Sequence, residues 1–170
     1  MERFNHILGK IITQEQAKQK RSLYELKNQK VVFTNGCFDL LHPGHITYLA
    51  KAASLGNKLI VGLNSDKSVR SLNKAANRPI NSEDSRALVV AAIGFVDLVV
   101  IFNETTPECL IKLLKPDFLV KGGDYDANEM NPNSKSYIVG SDFVKSYGGA
   151  VQTINLVDGF STTALIQKMQ

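Results

Sequence analysis

A doubly wound α/β fold, with five parallel strands covered by helices on both faces, is predicted by three features of the sequence. Five short apolar runs of strand length recur along the chain, helix-like segments separate them, and the runs are continuous rather than alternating, as strands buried on both faces require. Thr13-Gln14-Glu15-Gln16 has the form of a capping box, opening a polar helix that reaches about Asn28. Residues 1–28 are therefore read as an N-terminal helical extension and 29–170 as the domain proper. Residues 30–34 form the first buried strand, 46–55 a helix closed by Gly56, and Lys58–Asn64 the second strand. A helix opens at Ser82 with Glu83 and Asp84 in its first turn, where the helix dipole favours acids. Residues 97–102 give a third strand, 107–114 a short helix stopped by Pro116, and 117–121 a fourth strand. A helix at 141–147, a strand at 150–156 and a terminal helix from Ser161 complete the pattern. Right-handed crossovers wind such a chain into a sandwich that takes ligands outside the carboxyl ends of its strands, where the strand order reverses. The loops after Thr34, Asn64, Lys121 and Leu156 are thus the places to look for chemistry.

Composition narrows the function classes. With 170 residues and 44% hydrophobic content, one domain with a full core is expected. No apolar run approaches the roughly 20 residues that span a bilayer, and the first residues lead into no signal-type apolar core, so no membrane partner is expected and a cytoplasmic location is. Cys37 and Cys109 are too few for a disulfide framework and lack metal-ligand spacing, so both are expected as free thiols. A net charge of +4 is too mild to imply nucleic acid as a partner, and the 8% of aromatic residues are not interleaved with basic ones. Lys67, Arg70, Lys74 and Arg78, spaced by 3, 4 and 4, would share one face of any helix there, as a solvated face or an anion site.

Two of the three histidines flank Pro43-Gly44, between a strand and a helix. Gly36 lets the backbone turn and expose N–H groups, Gly44 admits a bulky ligand, and the helix start offers unpaired N–H groups that suit phosphate. His42 and His45 would then donate to phosphate oxygens. Capping or core histidines remain open, as does a metal site with Asp39, although helical metal pairs favour i, i+4 spacing and Pro43 intervenes. Asp39 could orient a histidine or fix a turn through backbone N–H groups. Arg86, among apolar residues, reads as one half of a structural ion pair.

The stretch Gly36-Cys-Phe-Asp-Leu-Leu-His-Pro-Gly-His45 resembles the Gly-x-Phe-Asp-x-x-His-x-Gly-His signature of the nucleotidylyltransferase superfamily, and Ser161-Thr162-Thr163 resembles its second motif. From Val31 onward, "VVFTNGCFDLLHPGH", "VGLNSDKSV", "RPIN", "DFLVKGGDY" and "DGFSTT" together resemble the heptose 1-phosphate adenylyltransferase family. The glycerol-3-phosphate cytidylyltransferases differ: they carry an arginine before the second motif, where this chain has Val157-Asp158-Gly159-Phe160, and Gly-Asp-Asp where it has Gly122-Gly123-Asp124. The resemblance implies a Rossmann-like nucleotidylyltransferase fold and transfer of AMP from ATP to D-glycero-D-manno-heptose 1-phosphate, with magnesium on the triphosphate and a homodimeric enzyme. It implies catalytic roles for His42, His45 and Lys74. Nucleotide contacts are implied for Asn35, Gly36, Cys37, Phe38, Gly44, Lys121, Gly122, Asp124, Ser161 and Thr162, and acceptor contacts for Asn64, Asp66 and Arg78. A cytidylyltransferase acting on a polyol phosphate and a non-catalytic nucleotide-binding regulatory domain are the rival readings. The run Asp126-Ala-Asn-Glu-Met-Asn-Pro-Asn-Ser-Lys-Ser136 departs from the family pattern and reads as an exposed loop rich in turn formers, a lid or a tolerated insertion.

Overall fold

The computed structural model describes residues 2–72, 78–155 and 159. Lys74, Ser161, Thr162 and the expected terminal helix lie outside the described residues. In chain order the elements are α1 (Glu2–Leu8), β1 (Ile11–Ile12), α2 (Gln14–Leu26), β2 (Val31–Gly36), α3 (Pro43–Ala53), β3 (Lys58–Asn64) and α4 (Asp66–Ser71). They continue with α5 (Glu83–Ala91), β4 (Leu98–Phe102), α6 (Glu108–Leu114), β5 (Phe118–Gly122), α7 (Ser141–Ser146) and β6 (Ala150–Ile154). The strands form one parallel sheet in the order β1-β4-β3-β2-β5-β6.

All five expected strands are present, and a sixth is added at the edge, where Ile11 and Ile12 pair with Val99 and Val100. Two residues have no periodicity to read, so only the ladder with distant β4 defines this strand. The capping box at Thr13 forms as the sequence implies: its hydroxyl accepts from the Gln16 N–H, and the Gln16 side chain accepts from the Thr13 N–H. Ser82 likewise caps α5. The expectation of one cationic helical face is corrected, because α4 ends at Ser71 with Leu72 as its C-cap. Lys67 and Arg70 are exposed on that short helix, whereas Arg78 lies beyond it in a turn.

Alternation along each strand divides the core in two. Val32, Leu59, Val61, Leu63, Val99 and Val120 face one layer with Leu49 of α3 and Val90 of α5. Val31, Phe33, Ile60, Val100 and Leu119 face the other with Leu110, Ile111 and Leu114 of α6 and Val144 of α7. Parallel strands buried on both sides must be apolar on both, which is why the runs read as continuous.

One device fixes the amino ends of the strands. Asp117, just before β5, accepts the Val31 N–H at 2.9 Å and pairs with Lys30 at 2.8 Å. Asp97, just before β4, does the same with the Leu59 N–H and Lys58, at 2.8 and 2.7 Å. From β2 the chain steps outward to β3 and β4, then returns to place β5 on the other side of β2. The order therefore reverses between β2 and β5, and their carboxyl ends border the switch point.

Candidate active site at the carboxyl edge of the sheet

The loop leaving β2 is held in an unusual shape. Phe38 takes a left-handed conformation, φ 46°, rare for an aromatic residue, and is buried. A side chain at Gly36 would place its Cβ 3.0 Å from the Phe38 ring, so glycine is what lets that ring fold back. His42 follows as the extended N-cap of α3, and its side chain makes no capping hydrogen bond. Pro43 occupies the first turn, where its missing N–H costs nothing.

His42 and His45 stack with ring centroids 3.8 Å apart and planes 26° from parallel, while Phe38 meets His45 edge-on at 5.5 Å. His45 Nδ1 is buried with no hydrogen-bond partner among the described residues. Burial, then the neighbouring His42 and Arg78, push the His45 pKa down to about 4, and burial lowers His42 as well. Both rings are therefore neutral at pH 7, and anionic oxygens arriving beside them would favour the protonated forms.

A stability profile follows from the sign of these shifts. A base whose folded pKa lies below its unfolded value of 6.5 binds fewer protons when folded, so stability is lost as pH falls from about 6.5 toward 4. Burial opposes the charged form of Asp39, but donors from Asn81, Ile80 and Arg78 outweigh it and hold its pKa below the ordinary 3.8. That carboxylate contributes only above its unfolded value, so its loss begins below about pH 4. Urea unfolding between pH 7 and 3 should show two separate declines, and His45→Asn should shrink the upper one to the part His42 contributes while leaving the lower.

Asp39 is almost fully buried and clamps a distant turn. It accepts from the Ile80 N–H at 2.9 Å, the Asn81 N–H at 3.0 Å and Arg78 Nε at 3.1 Å, and its own carbonyl accepts from the Asn81 side chain. Of the two roles open to it, fixing a turn is the one the hydrogen bonds make, and the turn belongs to another segment. Arg78 is thereby held close enough to His45 to bear on its charge.

Behind the loop sits Arg86, 2% exposed. Its guanidinium donates to the carbonyls of Cys37 at 2.6 Å, Asn64 at 2.8 Å and Asn81 at 3.0 Å, and to Asp66 Oδ1 at 2.7 Å. The ion pair expected for Arg86 is thus made with Asp66. One side chain ties the loop after β2, the end of β3, the start of α4 and the 78–81 turn together. Asn64, buried, also donates to Ser68 Oγ.

Across the switch point, Lys121 Nζ reaches the Asn35 carbonyl at 3.5 Å. Asn35 Oδ1 is buried with no hydrogen-bond partner among the described residues. The structure thus gathers Asn35, Gly36, Cys37, Phe38, His42, Gly44 and His45 on one loop and helix start, with Arg78 on one side and Lys121-Gly122 on the other. Asp124 is exposed in the turn after β5, and both cysteines are free. An open depression of about 440 Å³ adjoins the histidines, lined by Leu41, His42, Pro43, Ile46 and Thr47. A larger cavity, about 560 Å³, lies at the opposite, amino end of β2 and β5 around Arg21, Lys30 and Asp117, away from the histidine loop. Among the described residues no group of three or more His, Cys, Asp or Glu is placed to hold a metal, and the Asp39 carboxylate is taken up by the 78–81 turn.

The fold and this loop define a class: a doubly wound α/β protein with a His-x-x-His pair opening the helix that follows its central strand. Residues 33–168 match the cytidylyltransferase-like family, and the chain belongs to it. The bifunctional protein HldE of Pseudomonas fluorescens (strain Pf0-1) is 52% identical over 143 residues, covering 84% of this chain and 28% of that protein. The bifunctional protein HldE of Gluconobacter oxydans (strain 621H) is 48% identical over 162 residues, covering 95% and 32%. The chain thus spans less than a third of the length of these relatives. Among solved structures, the lipopolysaccharide core biosynthesis protein of Thermoplasma volcanium GSS1 superposes with a TM-score of 0.57 at 25% identity, covering 76% of this chain and 97% of that one. Pantoate-beta-alanine ligase of Francisella tularensis shares the fold with a TM-score of 0.59 at 15% identity, over 92% of this chain and 75% of that one. No helix among the described residues is long and apolar enough to cross a membrane.

Proposed function

We propose that this chain transfers AMP from ATP to D-glycero-D-manno-heptose 1-phosphate, giving ADP-heptose and pyrophosphate by direct in-line attack. The observation that carries the reading is the near-half identity to HldE proteins across 84–95% of the chain, joined to a stacked, neutral histidine pair on the switch-point loop. A sugar 1-phosphate ionises for the second time near pH 6, by analogy with other phosphate monoesters, so the nucleophile needs no strong base. What it needs is alignment with the α-phosphorus and stabilisation of charge there and on departing pyrophosphate. His42 and His45 donate to α- and β-phosphate oxygens, and no covalent enzyme intermediate is involved.

Other roles are assigned from the sequence motifs, those of Lys74, Ser161 and Thr162 from the motifs alone. The backbone of Asn35, Gly36, Cys37 and Phe38 and the open approach at Gly44 receive the triphosphate, with Ser161 and Thr162 forming a second phosphate cradle. Lys74 spans attacking phosphate and triphosphate, and Arg78 supports the acceptor. Asn64 and Asp66 border the acceptor side, and Lys121, Gly122 and Asp124 receive adenine or ribose. Magnesium bound with ATP would supply charge neutralisation on the triphosphate. The working enzyme is a cytoplasmic homodimer.

The test is pyrophosphate release with magnesium, comparing ATP and CTP against both anomers of the heptose 1-phosphate and against glycerol 3-phosphate. Release confined to ATP with one heptose anomer is expected. Release with CTP and glycerol 3-phosphate would move the chain to the polyol branch, and ATP binding without turnover on any acceptor would favour a regulatory domain.

A further inference from the structure

The β2–β5 ladder is short. Register pairs join Val32 to Phe118 and Phe33 to Leu119, yet β2 runs on to Gly36 and β5 to Gly122. Beyond the ladder the two strands are bridged from α3: the Tyr48 hydroxyl, buried, lies 2.6 Å from Thr34 Oγ1 and donates to the Val120 carbonyl at 3.0 Å. The carboxyl ends of β2 and β5 thus flank the switch point, where folds of this kind have their ligand crevice.

The turn after β5 brings an aromatic ring to the rim of this crevice. The Tyr125 N–H donates to the Gly122 carbonyl at 3.1 Å, closing the turn. Gly123 packs so closely that a Cβ there would lie 3.2 Å from the Asn155 backbone, which fixes where the turn can sit. Tyr125 is 38% exposed, and Lys121 Nζ lies over its ring, 5.3 Å from the centroid, while also reaching across to Asn35. The other exposed aromatic residues among the described residues, Phe4 on α1 and Tyr147 at the end of α7, are not at a strand's carboxyl end. A lysine alongside and a partly exposed ring beside a phosphate loop are what a nucleotide needs from a wall: a surface for the base and a cation for the charge.

We infer that Tyr125 is the stacking platform for the nucleotide base, with Lys121 holding the ring in place and bridging the crevice. The inference rests on the nucleotidyl-transfer reading of the same edge. Stacking accepts any base, so Tyr125 contributes affinity for a nucleoside triphosphate rather than the choice between ATP and CTP.

The experiment compares wild type, Tyr125→Ala and Tyr125→Phe by calorimetric titration with ATP and with inorganic tripolyphosphate, magnesium present throughout, alongside kcat and KM. Tyr125→Ala should weaken ATP binding and raise its KM by about tenfold, the size of one lost base–aromatic stack, with tripolyphosphate binding unchanged and kcat within about twofold. Tyr125→Phe, which keeps the ring, should match wild type, and coincident thermal melts establish that folding is intact. Unchanged ATP affinity in Tyr125→Ala would overturn the inference and leave the proposed function standing. Equal losses for ATP and tripolyphosphate would also overturn it, since the residue would then act on the phosphate loop rather than the base. Failure of wild type to bind ATP at all would remove the proposed function together with the inference.

Discussion

His42→Ala and His45→Ala are each expected to lower kcat for the proposed nucleotidyl transfer by about 10²–10³-fold, the usual loss for one preorganised donor to a developing oxyanion, with the thermal melt near wild type. The expectation rests on geometry. The rings stack at 3.8 Å at the amino end of α3, His45 Nδ1 lacks a partner among the described residues, and burial keeps both rings neutral in the free protein. Neutral imidazoles held against one another gain little until phosphate oxygens arrive, so their contribution is concentrated in the loaded site. The two losses should not add, because the rings position each other, and the double variant should be little worse than the poorer single one. Steady-state kinetics at saturating ATP checks this. Full activity in His42→Ala would remove the mechanism.

The largest structural effect is expected at Arg86. Arg86→Met keeps length and apolar volume but removes every donor, leaving the carbonyls of Cys37, Asn64 and Asn81 and the Asp66 carboxylate without their guanidinium. Breaking one side of a buried ion pair costs about 3–5 kcal/mol, because the remaining charge stays buried without compensation. Asp66 keeps some solvent contact, which places the loss toward the lower end of that range. Arg86→Lys should recover little of it, since one ammonium cannot reach four acceptors arranged around a planar fork. Urea unfolding of the three proteins measures this directly. A loss under about 1 kcal/mol in Arg86→Met, the scale of an ordinary hydrogen bond, would show that the hub is not cooperative.

What the sequence made legible, and what it did not, divides by range. The five long strands were readable because a strand buried on both faces must be continuously apolar, and the helix starts at Thr13 and Ser82 because caps are local hydrogen bonds between near neighbours. The sixth strand was not, since Ile11-Ile12 acquires its identity from β4, far along the chain. The cationic face failed for a related reason: spacing implies a face only while the helix lasts, and α4 stops at Ser71.

The site divides the same way. The histidine loop announces itself as a motif, but the clamp of Asp39 on the 78–81 turn joins residues about 40 positions apart with no spacing rule between them. Arg86 could be recognised as an ion pair without its partner being visible. Asn64 and Asp66, named from the sequence for the acceptor, turn out to share that arginine. Tyr125 closes the family-like stretch "DFLVKGGDY", yet the stretch gave that tyrosine no role; it gains one only where the β2–β5 ladder ends.

The proposed reaction is direct attack of a phosphate on the α-phosphorus of ATP, without a covalent enzyme intermediate. It is tested most directly by the stereochemistry of transfer from the Sp diastereomer of ATPαS to heptose 1-phosphate, with the configuration of the thio-substituted product read by phosphorus NMR. Inversion at phosphorus is the predicted result of a single in-line displacement. Retention would require two displacements and an enzyme nucleophile, and would contradict the assignment of His42 and His45 as donors alone.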